Sequence, residues 1–187
     1  MPPGLVEASS RGVQPPNRKD ATIDALLLSF VVIFVAELGD KSQLMAMTFA
    51  TRYRFWLVVA AITAATAVVH LLSVAVGALV GASLPTTAIN IIAGLAFLGF
   101  GLWTLRGDEL SDDEQTRAAR STRSAFFAVA SAFFLAELGD KTMLATVALA
   151  SDHNWAGVWI GATAGMVVAD GAAIAAGTLL HRRLPER

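Results

Sequence analysis

The sequence contains no cysteine, which excludes disulfide frameworks, thiolate metal sites and thiol catalysis and leaves the redox compartment open. Charge is scarce: 16% of residues are Asp, Glu, Lys or Arg, and the formal net charge is −1. No basic stripe is interleaved with aromatics, so no nucleic-acid partner is expected. Residues 1–24 hold four of the six prolines. They lack the apolar core and small-residue cleavage site of a secretory signal and read as a mobile polar tail. What remains is apolar: 55% of the 187 residues are hydrophobic and mean hydropathy is +0.60. That is too greasy for an ordinary soluble domain of this size, and the first reading is an all-α, polytopic membrane protein.

Apolar segments near 25–50, 55–82, 87–105, 125–150 and 155–180 are each long enough for the roughly 20 residues that cross a hydrocarbon core. Five spans are expected. The only long connection, 106–123, divides the chain into 25–105 and 124–187. Shifting the second part back by 100 residues aligns it with the first without a gap: AELGDK falls on AELGDK, Gly77 on Gly177, and Leu84-Pro85 on Leu184-Pro185. This is an internal duplication. With three helices per unit, the second copy enters the membrane from the opposite side, giving an inverted repeat of the kind built into many secondary transporters. The second unit stops after its second helix, so a sixth helix is expected to be missing. A truncated chain, a partner that supplies the wall, or a half-repeat that works without it all fit. Arg52, Arg54, Arg106, Arg117, Arg120, Arg123, Arg182, Arg183 and Arg187 fall on one side, against Arg11, Arg18 and Lys19 on the other. The positive-inside rule then sets the N-terminus outside and the linker in the cytosol, in the inner membrane if the source is bacterial.

The charged strings "FVAELGDKSQLM" and "FLAELGDKTMLA" interrupt two of these apolar segments. On a helix, Glu37, Asp40 and Lys41 share a face, as do Glu137, Asp140 and Lys141. At a helix centre Asp and Lys each cost about 2.5–3.5 kcal/mol, so one motif nearly cancels the apolar gain of its own helix. Such groups are expected to face the protein interior and find partners there. Gly39 and Gly139 favour a local break, and a discontinuous helix exposes carbonyl oxygens beside the carboxylates. Together the motifs supply four carboxylates and two ammonium groups, a formal charge of −2 that balances a divalent cation. Ser42, Thr142, Gln43 and Thr48 add neutral oxygens, and an all-oxygen set suits Mn²⁺, Ca²⁺ or Mg²⁺ better than Zn²⁺ or Cu⁺. The expected metal ligands are Glu37, Asp40, Glu137 and Asp140, with Gln43 as a neutral ligand. Met45, Met47 and Met143 read as packing. Crowded carboxylates at low dielectric favour the neutral form, a physical basis for exchanging a cation against protons.

His70 and Asp170 occupy equivalent repeat positions inside spans. They read either as a proton relay or extra ligand, or as an interhelical hydrogen bond. Gly157, Gly161, Gly165, Ala169, Ala173 and Gly177 step by four along the fifth span, a stripe that permits close helix packing. The acids of the linker, and Asp152 with His153, read as solvated.

The doubled signature, ELGDKS at 37–42 and ELGDKT at 137–142, resembles that of the small manganese/calcium transporters comprising the Golgi cation/proton antiporters and their bacterial manganese-exporting relatives. The resemblance covers about residues 24–187. It implies a six-helix inverted-repeat carrier, not an enzyme, that moves Mn²⁺ or Ca²⁺ out of the cytosol in exchange for protons. It also implies that Glu37, Asp40, Glu137 and Asp140 form the ion site, with Lys41, Lys141, Ser42 and Thr142 as supporting motif members. No permanently bound cofactor is expected, and the cation is the cargo. The partners are then the cation, protons and the lipid bilayer; a homo-oligomer is compatible. The competing readings are an amino-acid exporter, a non-transporting membrane scaffold, a pair of structural salt bridges, and an intramembrane hydrolase. The last lacks any substrate-handling feature.

Overall fold

A computed structural model of the chain describes residues 18–104 and 125–183. Seven helices make up nearly all of it: α1 Arg18–Glu37, α2 Lys41–Ala50, α3 Phe55–Ser83, α4 Thr86–Thr104, α5 Ala125–Glu137, α6 Lys141–Asp152 and α7 Trp155–Arg183. There is no strand among the described residues. The linker 106–123 lies outside them, as does most of the tail assigned to 1–24. The end of that tail differs from expectation: residues 18–24 are the first turns of α1. Asp20 sits in the first turn, where an acid favours a helix start, and Thr22 packs against Gly157 of α7.

The duplication reappears in the elements. Helices end at Glu37 and Glu137, restart at Lys41 and Lys141, and the long helices start at Phe55 and Trp155. Two of the five expected spans are therefore not continuous, because 25–50 divides into α1 and α2, and 125–150 into α5 and α6. The cause is the glycine of each motif. Gly39 has φ +77° and Gly139 φ +84°, a left-handed conformation that other residues avoid. The next residue, Asp40 or Asp140, is extended and caps the following helix by position, yet neither side chain makes a capping hydrogen bond. Both carboxylates are left for other work. The helices α3 and α7 are each long and apolar enough to cross a membrane, and α1 with α2 meets that test only as a pair bent by 79°.

Packing exchanges the repeats. α1 lies along α7, where Gly157, Gly161 and Gly165 meet the backbone of Thr22, Leu26 and Phe30. Reciprocally, α5 packs on α3, with Ala61 and Ala65 in one core with Val129, Ala132 and Phe133. α6 also lies against α3, with Gly77 and Gly81 on the Val147 and Ser151 carbonyls, and at the equivalent place Gly177 of α7 meets Met47 of α2. Each broken pair thus rests on the long helix of the other repeat. Reciprocal contact of this kind is what a two-fold relation between repeats produces. Large apolar side chains are exposed on α1, α3, α4 and α5, among them Leu27, Val35, Trp56, Leu79, Leu95 and Phe127. A surface of this composition fits hydrocarbon, with backbone polar groups satisfied inside the helices.

The glycine at the break gives a clean prediction. A Cβ at Gly39 meets nothing within 4 Å, so Gly39→Ala is strained only through its backbone and is expected to cost about 1–2 kcal/mol. Gly94 of α4, equally unobstructed and without a positive φ, is the control. Gly94→Ala should hold or raise the melting temperature in detergent, while Gly39→Ala lowers it by several degrees.

Candidate cation site

The two breaks bring the motifs together. Asp40, with its side chain fully buried, forms an ion pair with Lys141 of the other motif, whose side chain is 15% exposed. Lys41 lies within electrostatic reach of Asp140. Behind these groups sit Glu37 and Glu137, 0% and 2% exposed. Ser42 donates to Glu37 and, at 3.3 Å, to Asp40. Thr142 donates to Glu137 at 3.0 Å. The hydroxyl of each signature therefore steadies its own glutamate across the break.

Asp170 joins this group from α7. It is completely buried and neither carboxylate oxygen has a hydrogen-bond partner. Its charge acts on both Glu37 and Glu137. Glu37 Oε2 and Asp140 Oδ2 are likewise buried and unpartnered. Acceptors without donors inside a membrane protein are costly unless something positive visits them. His70, the repeat counterpart of Asp170, behaves differently: it is buried, and its Nδ1 lies 3.3 Å from the Thr163 hydroxyl of α7. The hydrogen-bond reading fits His70, whereas Asp170 stands with the acids.

Gln43 is committed at both ends, since its Oε1 accepts the Gly39 N–H at 2.9 Å and its Nε2 donates to the Ala169 carbonyl at 3.3 Å. Only a second lone pair on Oε1 remains for a ligand. In the second motif the Met143 sulfur takes the Gly139 N–H at 3.2 Å, a role that reading it as packing missed. Thr48 donates back to Leu44 within α2. No group of three or more His, Asp or Glu side chains among the described residues is gathered closely enough to ligate one ion. The arrangement is an acidic cluster ion-paired across the motifs through Asp40 and Lys141. An apolar cleft of about 390 Å³ between α2 and α7, lined by Met47, Ala50, Thr51, Ile174, Gly177 and Thr178, contains none of these acids.

The family profile described as "Divalent cation/proton antiporter GDT1" matches residues 25–112 and 125–187, the two repeats with their motifs. The chain belongs to the GDT1 family. It is 34% identical over 173 residues to a Vibrio cholerae protein named "Putative manganese exporter", covering 91% of this chain and 84% of that one. It is 33% identical to GDT1-like protein sll0615 of Synechocystis, with 88% of each chain covered. Against GDT1-like protein 3 of Oryza sativa subsp. indica it is 30% identical, over 88% of this chain and 67% of the relative. No solved structure matches. As a member of a family of antiporters this chain is an integral membrane cation transporter, and the transported species are a divalent cation and protons.

Proposed function

We propose that the chain exports Mn²⁺ from the cytosol in exchange for protons, with Ca²⁺ as a competing substrate, through a site made by Glu37, Asp40, Glu137 and Asp140 and joined by Asp170. The observation that carries the reading is the meeting of the two AELGDK breaks, with Asp40 of one paired to Lys141 of the other over two buried glutamates. The kinship to a protein named as a manganese exporter favours Mn²⁺, and the oxygen-only donors suit a hard cation.

The chemistry follows from charge. In the cation-free state Lys41 and Lys141 neutralise part of the acidic cluster, and protons on the buried carboxylates neutralise the rest. An arriving divalent cation displaces the ammonium from Asp40 and the protons from the glutamates, because two like charges cannot share the same oxygens at low dielectric. When the cation leaves on the other side, protons return. Ser42 and Thr142 hold Glu37 and Glu137 in place through both states.

Proteoliposomes containing a trapped pH dye should report a proton flux when Mn²⁺ is added outside, and none when Mn²⁺-free buffer alone is added. Silence with both Mn²⁺ and Ca²⁺ would remove the exchange reading. The proposal also carries the inverted-repeat topology, in which the α2–α3 turn faces the cytosol and the α6–α7 turn the outside. Because the chain has no native cysteine, single cysteines at Arg54 and at His153 test this directly. An impermeant maleimide applied to intact cells is expected to label His153→Cys and spare Arg54→Cys; labelling of both from one side contradicts an inverted repeat.

A further inference from the structure

The two breaks share backbone geometry but are held in different ways. In the first, Gln43 spans from the Gly39 N–H to the Ala169 carbonyl of α7, resembling a capping-box residue that also reaches a neighbouring helix. In the second, Met143 has the same register and takes the Gly139 N–H on its sulfur. A thioether has no proton to donate, so α6 gains no such tie to α3 at Val69, the counterpart of Ala169.

The helices that follow the breaks compensate in opposite senses. α6 is packed onto α3 at close range, with Gly77 and Gly81 against the backbone of Val147 and Ser151. α2 meets α7 more loosely, through the flexible Met47 side chain at Gly177, and the cleft of about 390 Å³ opens between them. The second half-helix is therefore fixed by packing. The first buries Met45, Ala46 and Phe49 in the core with α3 and α5, and on its α7 side its start is tied by the Gln43 hydrogen bond, which lands on the residue next to Asp170.

We infer that Gln43 is a positioning residue, a latch that holds the cleft-facing side of half-helix α2, and with it Asp40 and Ser42, against α7 beside Asp170. Release of the latch lets α2 move into the cleft while α6 stays on α3. Gln43 then decides whether Asp40 and Asp170 share one cation. The transport arm of this inference rests on the cation-exchange reading; the positional arm does not.

Gln43→Met copies the second repeat: it keeps an acceptor for the Gly39 N–H and deletes only the donor to Ala169. In this naturally cysteine-free chain, spin labels at Leu44→Cys and Ala172→Cys report the α2–α7 distance. Labels at the repeat-equivalent Leu144→Cys and Leu72→Cys report α6–α3. Gln43→Met is expected to broaden the first distance distribution and leave the second unchanged. In proteoliposomes it should raise the KM for Mn²⁺ about 10-fold, the scale of losing a group that orients a metal ligand, with a smaller change in kcat. A first distribution that stays narrow, or equal broadening of both pairs, overturns the latch. If the parent protein carries neither Mn²⁺ nor Ca²⁺, the proposed function fails, and the two distance measurements alone decide the role of Gln43.

Discussion

Glu37→Gln and Glu137→Gln are each expected to abolish Mn²⁺-driven proton flux, a loss of at least about 100-fold, beyond the 10–100-fold typical of residues that merely orient a ligand. The same variants should melt at the parent temperature or above it. Both expectations follow from one environment. Each glutamate is buried and steadied by a single hydroxyl, from Ser42 or Thr142, and Glu37 keeps one oxygen without any partner. Glutamine preserves the shape and an acceptor for the hydroxyl, and is neutral at low dielectric without having to take up a proton, as the cation-free carboxyl must. If these residues existed to hold the bundle together, the order of effects would reverse: stability would fall and flux would survive. Thermal shift and flux measured on the same preparation separate the two cases. Addition of Mn²⁺ should raise the melting temperature of the parent through preferential binding to the folded form and leave the two variants unmoved.

Much of this arrangement is legible in the sequence where a residue type has one physical use. Glycine inside AELGDK points to a break because only glycine takes a left-handed conformation cheaply, and Gly39 and Gly139 do so. The 100-residue offset foretells that the two motifs are equivalent, and Lys141 on Asp40 brings them together. The hydropathy windows ran through both breaks because Leu38-Gly39 and Leu138-Gly139 do not lower the average, so kinked pairs looked like single spans. Residues 18–24 were polar enough to look like tail, but the stripe of glycines on α7 gives them a surface to pack on. The equivalence of His70 and Asp170 also concealed a difference. Which of them joins the acids depends on a crossing of α3 and α7 that sets His70 beside Thr163, and nothing local encodes that. Gln43 is the same kind of case, since its amide reaches a carbonyl 126 residues away.

Lys141→Gln is expected to destabilise the cation-free protein by about 3–5 kcal/mol, the cost of leaving one member of a buried ion pair without its partner. Asp40 is the residue left stranded, with its side chain fully buried. The double variant Lys141→Gln/Asp40→Asn removes both charges and should recover most of the loss, giving a large coupling energy in the double-mutant cycle. Mn²⁺ supplies the diagnostic. If the cation replaces the ammonium at Asp40, Lys141→Gln has no competitor to displace, so its melting temperature should rise more steeply with Mn²⁺ than that of the parent. The double variant, which lacks the carboxylate, should respond weakly. If instead the Lys141–Asp40 pair is only a strut, the loss in Lys141→Gln persists at every Mn²⁺ concentration. Transport adds a second consequence. Once the cation has left, the ammonium is the group that returns to Asp40, so its removal slows release of the ion and lowers kcat while KM falls. A lysine that assists release lowers both parameters when removed; one that binds cargo raises KM.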